Sequence, residues 1–524
     1  MSALTVPFLM PRVEEVVPDF AMLKDRLTGA SVIEERYTAT QVPSSGDSYT
    51  VGGGGTKLMI IRVANQNDYI DTSTMCLNFK LQGYSSTNVP GSTTTTSLAL
   101  DDHVLSTVDT INVKVGGQTV EVLNNVGHLI NALVQGSMPY NYYKQNGGFE
   151  GLHIYDKWND GPAMNVVNTA DVNNSDMLQA RWTVGNSWFD RGRYYSVPLT
   201  LLGLCRLPQL FAARNFQDVT LEFLFKSQLV ACTWVKDPAI AIPAVTATSY
   251  AQISDVTLTY DCCRMTADYY ALMDNELKMP NGSGVAYAID TYQVQPASIA
   301  PGSAAGTGVG STGALTRIVV AKGTRFLKGV YGVTKPSVAE SSFLWRNNSS
   351  NANMLFSSYQ VVINSKRYPQ LQIQSSANQF QELQKAYNQL GSVAGGALIS
   401  WFNYVGQPVA RLTATGNTQL QDAAGAGKDG TLLGACPGDE AMFQNGVNLE
   451  QFLTNQPDAG GINTSTSGYQ IAIEIQNNGN IAAGSLTVPP TVDTTMSASP
   501  LTHYVILHFT RVLTLKAGAV EVLD

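Results

Sequence analysis

Metal or nucleophilic chemistry in this chain would have to come from few side chains. There are five histidines (His103, His128, His153, His503 and His508) and six cysteines in 524 residues. No His-x-His or His-Glu-x-x-His pair occurs, so the usual imidazole spacings for a metal are missing. His503 and His508 are five apart in a strand-like segment, which places them on opposite faces. His128 falls in a short helical segment and reads as lying at its polar margin. Cys76, Cys205, Cys232 and Cys436 stand alone and Cys262 adjoins Cys263, a pattern of buried free thiols rather than of a disulfide framework or zinc site.

Two glycine-rich stretches resemble nucleotide loops. Gly308-Val309-Gly310-Ser311-Thr312-Gly313 spells GxGxxG, but a dinucleotide site needs a strand before it and a helix after it. Here a Pro/Ala/Gly/Ser stretch precedes and the strand-like Leu315 to Val320 follows, so a loop is expected. Gly52 to Gly55 with Thr56-Lys57 has the phosphate-loop residues in the wrong order and reads as a tip between strands. No GxSxG elbow is present. Asp101-Asp102 and Glu14-Glu15 are adjacent in sequence, whereas a glycosidase pair faces across a cleft from separate elements. The expectation is a protein that is not an enzyme, with no catalytic residue, no cofactor-binding residue and no metal ligand.

Apolar residues make up 44% and charged residues 14%, with a net charge of −8. So few charges among many Thr, Ser, Asn, Gln and Gly point to β-structure with polar loops. The acidic balance disfavours wrapping nucleic acid, and no sequence-specific nucleic-acid binding is expected. Met1 to Arg12 lacks the order of a secretory signal. The most apolar helical candidate, Ser392 to Phe402, is far shorter than the roughly 20 residues that span a bilayer. Synthesis as a soluble cytosolic protein is expected.

The elements that would position any site recur at an offset of about 250 residues. Ile111, Val113 and Val115 alternate with polar residues, Gly116-Gly117 turns, and Val120 and Val122 return. Val361 and Ile363, Asn364-Ser365, then Leu371 and Ile373 repeat the hairpin. Each hairpin leads into a short helix. The first carries Val126, Leu129, Ile130, Leu133 and Val134 on one face and stops at Gly136. The second carries Phe380, Leu383, Tyr387 and Leu390, with a capping box from Ser376 to Gln379. Val219, Leu221, Phe223 and Phe225 match Tyr469, Ile471, Ile473 and Ile475; Val256, Leu258 and Tyr260 match Val505, Leu507 and Phe509. Two copies of one antiparallel sandwich follow. The divisions expected are an N-terminal arm 1–30, a first sandwich 31–265, a connector helix and turn 266–282, and a second sandwich 283–524. The arm, broken by Pro7, Pro11 and Pro18, reads equally as a tie between subunits or as a frayed terminus.

Three segments resemble the double jelly-roll major capsid proteins of double-stranded DNA viruses, of the polinton-like virus, virophage and nucleocytoplasmic large DNA virus type. They are Asn67-Asp68-Tyr69-Ile70-Asp71 leading into Met75 to Phe79; Ser196-Val197-Pro198-Leu199 with Leu207-Pro208 and Val219 to Phe223; and Tyr359 to Asn364 with Tyr368-Pro369. The resemblance implies an all-β fold of two tandem eight-stranded antiparallel jelly-roll sandwiches with short accessory helices. It implies a homotrimeric, pseudo-hexagonal capsomer in the shell of an icosahedral virion. Its partners would be further copies of the chain together with penton and minor capsid proteins. The alternative is a lectin-like or receptor-binding spike, with Tyr140, Tyr142, Tyr143, Phe149 and Tyr155 as stacking platforms for sugars.

Overall fold

The computed structural model describes residues 33–63, 67–84, 98–100, 102–137, 152–153, 192–216, 218–235, 250–278, 285–299, 312–336, 358–373, 375–387, 442–449, 461–465, 470–478, 501–516 and 519–523, with single residues at 348, 351, 399, 401 and 404.

In chain order the strands of the first half are β1 (Ile33–Gln41), β2 (Ser48–Gly52), β3 (Leu58–Val63), β4 (Tyr69–Tyr84), β5 (Leu98–Leu100), β6 (Asp102–His103), β7 (Val108–Val115), β8 (Gln118–Asn124), β9 (Leu152–His153), β10 (Arg193–Pro198), β11 (Val219–Phe225), β12 (Thr233–Val235) and β13 (Tyr250–Met265). Those of the second are β14 (Val285–Ile299), β15 (Thr312–Val320), β16 (Leu327–Pro336), β17 (Ser358–Ile363), β18 (Lys366–Ile373), β19 (Gln444–Asn448), β20 (Ile471–Asn478), β21 (Leu501–Lys516) and β22 (Ala519–Leu523). Among the described residues three longer helices accompany them, α1 (Val126–Ser137), α2 (Ala267–Lys278) and α3 (Ser376–Ala386), besides the single α-turn Ala213–Phe216.

The strands form two pairs of antiparallel sheets with a jelly-roll-like path. In the first pair a sheet ordered β1-β13-β4-β10, with β2 also on β13, opposes one ordered β3-β11-β7-β8. In the second, β14-β21-β16-β19, with β22 on β21, opposes β15-β20-β17-β18. Strand for strand, the two orders correspond. The short strands β5 and β12 pair with each other, as do β6 and β9.

Alternation along the strands makes each core. Val219, Leu221, Phe223 and Phe225 are all buried, and so are Ile471, Ile473 and Ile475 in the equivalent β20. Val256, Leu258 and Tyr260 of β13 and Val505, Leu507 and Phe509 of β21 are buried likewise. Period-two burial of this kind is what a two-layer sandwich requires.

The hairpins fold as their turns dictate, with one departure in each. Gly116 and Gly117 (φ 56° and 77°) and Asn364 and Ser365 (φ 47° and 68°) supply the consecutive left-handed residues of a two-residue turn. In β8 a register shift between Val113 and Lys114 places Glu121 opposite Val113 and Leu123 opposite Ile111. Glu121 and Leu123 are therefore buried, while Val122, expected inside, is exposed. In β18 a larger shift separates the pairs Val361–Tyr368 and Tyr359–Ile373. Leu371, also expected inside, is carried out on it to 85% exposure, whereas Ile373 is buried. The second helix starts one residue earlier than its capping box suggested: Ser375, not Ser376, is the N-cap, its Oγ accepting from the Asn378 N–H at 3.2 Å. Gly308 to Ser311 lie outside the described residues, and Thr312 and Gly313 begin β15; Gly53 to Lys57 form the tip between β2 and β3.

Gly116 is also the point where the C-terminal strand meets the first half. A methyl placed there would stand 2.8 Å from Val520 Cγ2 in β22 and 3.2 Å from the Phe216 carbonyl oxygen. Gly116→Ala is expected to cost about 1–2 kcal/mol from the left-handed backbone alone. The check is a lower urea midpoint at unchanged slope; an unaltered midpoint would contradict this account of the turn.

Candidate functional site

Among the described residues no group of three or more His, Cys, Asp or Glu side chains is placed to hold a metal ion. The chemically dense region is the seam between the two sheet pairs. Along β21, alternate residues divide: Val505, Leu507 and Phe509 belong to the second core, while Tyr504 and Ile506 join the first. Tyr292 and Val294 of β14 and Tyr331 and Val333 of β16 join the first core with them. At the far end Tyr287, Ile289, Leu513 and Leu515 do so too. One sheet face of the second half is thus sealed against the first half, where it meets β8, α1 and the 3₁₀ turn Gly203–Arg206.

A seam this dry must satisfy its polar groups. The Glu121 carboxylate accepts the Gly203 N–H at 3.0 Å and the Thr291 Oγ1 hydroxyl at 2.9 Å. Burial pushes its pKa up, opposed by that N–H and by Arg206. Arg206 donates to the Tyr292 hydroxyl (2.9 Å) and the Asp290 carbonyl (2.6 Å), its guanidinium 5.0 Å from the Tyr292 ring centre. Only glycine fits at 203, since a methyl would collide with the Asp290 carbonyl oxygen. The Asp290 carboxylate accepts from Lys328 Nζ and Thr510 Oγ1, both at 2.6 Å. Desolvation raises its pKa, but the His508 ring, Lys328 and Thr510 outweigh that and hold it below the ordinary carboxylate value.

The backbone is stitched as well. Asn124 donates to the Val294 carbonyl (2.9 Å) and accepts the Val294 N–H (3.1 Å). Arg511 donates to the Val120 carbonyl (2.7 Å). Asn131 of α1 donates to the Asn348 carbonyl and accepts from Asn351 at 2.8 Å. The Tyr387 hydroxyl at the end of α3 reaches the Ala132 carbonyl and Gln444 Oε1.

The histidines divide between these environments. His128 is not at a polar margin: it is buried at the seam with its ring centre 3.9 Å from that of Tyr504. The side of α1 that carries His128 is covered by the second half. His503 and His508 do take opposite surroundings. His503 Nδ1 bonds Thr334 Oγ1 at 2.8 Å on the second-core side, and His508 stacks on Tyr292 at 4.7 Å. Desolvation lowers the pKa of all three, His503 to about 3 and His508 to about 4. His103 caps the 3₁₀ turn Val104–Thr107, its Nδ1 accepting the Leu105 N–H at 3.0 Å. Cys205, Cys232, Cys262 and Cys263 are buried thiols and Cys76 is half-buried; Cys436 lies outside the described residues. So do Glu14, Glu15, Asp101, the arm 1–30 and the aromatic residues Tyr140, Tyr142, Tyr143, Phe149 and Tyr155.

The corresponding face in the first half has opposite chemistry. With Leu258 standing where Leu507 stands, Thr257 and Thr259 answer to Ile506 and His508. Through the same registers Asn78 and Lys80 answer to Tyr331 and Val333. Tyr194 answers to Gln444, Thr40 to Tyr292 and, one residue beyond β1, Val42 to Val294. Val294 is 2% exposed and Gln444 fully buried, whereas Val42 and Tyr194 are 66% and 65% exposed. Lys80 lies over the Tyr194 ring at 5.9 Å, and the Tyr194 hydroxyl donates to Asp255 at 2.9 Å. Residue patterning alone did not reveal the seam. Its one sequence signal is the unbroken apolar run Tyr504 to Leu507 in β21, where both faces are dry.

No protein-family model and no curated protein matches the sequence. Solved structures do match in fold. They include VP54 of PBCV-1, fitted into a cryo-EM reconstruction of the virophage Sputnik (TM-score 0.52, 12% identity, 94% of this chain and 98% of that one). The Faustovirus major capsid protein matches with TM-score 0.51 and 9% identity over 96% of this chain and 98% of that one. A chain of the Sputnik virophage structure matches with TM-score 0.50 and 10% identity over 94% and 89%. At these identities the likeness is one of fold, and it runs through both sheet pairs.

The buried histidines set a pH dependence. Their folded pKa values lie below the unfolded value of about 6.5, so between the two the unfolded chain binds more protons and stability falls as pH falls. Melting temperature is expected to drop progressively from pH 6.5 towards pH 4, and His128→Gln and His508→Gln should each flatten that slope. Parallel profiles for wild type and both variants would contradict the assignment.

Proposed function

We propose that this chain is the subunit of a homotrimeric capsomer. Each subunit is two tandem eight-stranded jelly rolls, and three chains close a pseudo-hexagonal ring that tiles an icosahedral virus shell. The observation that carries the reading is the seam. It joins unlike surfaces, a sheet face of the second roll and the edge strand β8 with its helix from the first. A contact between unlike surfaces leaves one of each unused: here the polar face of the first roll and the β18 edge of the second. Repeating it from chain to chain gives either a ring or an open filament. With two rolls per chain, a ring of six closes with three copies. Closure also covers strand edges that would otherwise template aggregation.

The chemistry of the open face supports a contact between separately folded copies. Threonine, asparagine and lysine with isolated exposed side chains such as Tyr194 stay soluble before assembly, then form a wet, hydrogen-bonded interface. The intrachain face, never exposed after folding, is apolar. The fold likeness to the Faustovirus major capsid protein agrees with this reading. The role is structural rather than enzymatic, with penton and minor capsid proteins as further partners, in the virion. The net charge of −8 argues against direct packaging of nucleic acid.

Native mass spectrometry and negative-stain imaging of the purified full chain test this. Trimers with a hexagonal outline are expected; a monomer that never associates at any concentration would sink the reading. Deleting Met1 to Ala30 should leave the trimer intact, because the described strands begin at Ile33, while weakening association between trimers. Loss of the trimer on deletion would contradict this.

A further inference from the structure

We infer that Leu371 of one copy and Val42 of the next form the apolar anchor of the contact between chains. The inference rests on the ring reading above and adds the residues that hold the ring together.

Among the described residues these are the two most exposed large aliphatic side chains, at 85% and 66%. Neither position is explained by the chain's own packing. Leu371 stands on the β18 irregularity, where β17 advances from Tyr359 to Val361 while β18 covers Tyr368 to Ile373. That excess of chain lifts an aliphatic side chain off an edge strand, where a polar residue would be the ordinary choice. Val42 follows the last residue of β1 on the open face, at the position whose counterpart Val294 is buried.

The intrachain seam brings these two places together. Within one chain β8 meets β14 through Glu121 with Thr291 and through Asn124 with Val294. The counterpart of β8 is β18, and the counterpart of Thr291 to Val294 is Ala39 to Val42. Applying the same contact between chains lays Tyr368 to Ile373 of one copy along Ala39 to Val42 of the next. Leu371, thrown outward between Tyr368 and Ile373, then comes within side-chain reach of Val42, with Thr40, Thr257 and Thr259 around the pair. An aliphatic pair inside a polar rim is the arrangement that dominates affinity in interfaces. The seam itself uses charge and hydrogen bonds at this place, so the β18 irregularity is what converts a permanent intrachain joint into one between separate molecules.

The test uses the full chain. Leu371→Asp and Val42→Asp should each weaken the trimer by about 30-fold or more, read as the concentration at which it dissociates in native mass spectrometry. Because both side chains are exposed in the single chain, its melting temperature should stay unchanged. The double variant Leu371→Cys with Val42→Cys, mildly oxidised, should run as a covalent trimer on a non-reducing gel, with neither single variant doing so. A wild-type trimer that Leu371→Asp leaves intact, or a trimeric double-cysteine variant that gives no cross-link between chains, overturns the inference and leaves the ring reading standing. Should the cysteine variant fail to fold, the aspartate variants alone decide. A wild-type chain that stays monomeric overturns both.

Discussion

The structure depends on the drying of one face of the β14-β21-β16-β19 sheet. That sheet has the second core on one side and the first half on the other, so β21 carries buried residues on both faces between Leu501 and Leu507 except at Thr502. A strand dry on both sides cannot stand at the surface of an independently stable sandwich. The second half therefore needs the first, and the linkage is reinforced by β22, which pairs with β21 and lays Val520 against the turn at Gly116. The polar groups taken into the seam are the charge on that arrangement. Glu121, Asp290, Arg206 and Lys328 would each be destabilising alone, and each has found a partner across or beside the joint.

The two halves share a strand order and differ in what the equivalent face is made of. In the second half the face is Tyr, Val, Ile and stacked His; in the first it is Thr, Asn and Lys. This is a difference of timing as much as of place. A face covered as the chain folds can be apolar. A face that waits for another molecule must tolerate water until then, with its apolar contribution restricted to a few isolated side chains. Under the assembly proposed above, the repeated sheet pair is one surface used twice, once permanently within the chain and once between chains.

Much of the fold was legible because period-two alternation and turn chemistry are local. The hairpins at Gly116-Gly117 and Asn364-Ser365, the helices after them and the closing strands all stand where their residues indicated. The departures from that pattern have two causes. Alternation points Val122 and Leu371 inward, but it runs through an irregularity that alternation cannot reveal; an extra residue in one strand reverses every face beyond it. His128 looks marginal in sequence because a helix's polar stripe shows only that it does not face its own core, not what else covers it. The seam went unread for the same reason, since its partners are far apart in sequence, as Asn124 and Val294 or Val120 and Arg511 are.

Residue types and spacing by themselves determined the class of fold, the duplication and the lack of any familiar catalytic or metal-binding spacing. Each of these follows from which residues neighbour one another along the chain. Tertiary structure alone decided which of two equivalent faces is dry, which edge strand throws its leucine outward, and which carboxylates are buried. Those outcomes are set by what stands opposite a residue in space. Two copies of one strand pattern can meet opposite fates there, because burial is a property of the pair of surfaces and not of either sequence.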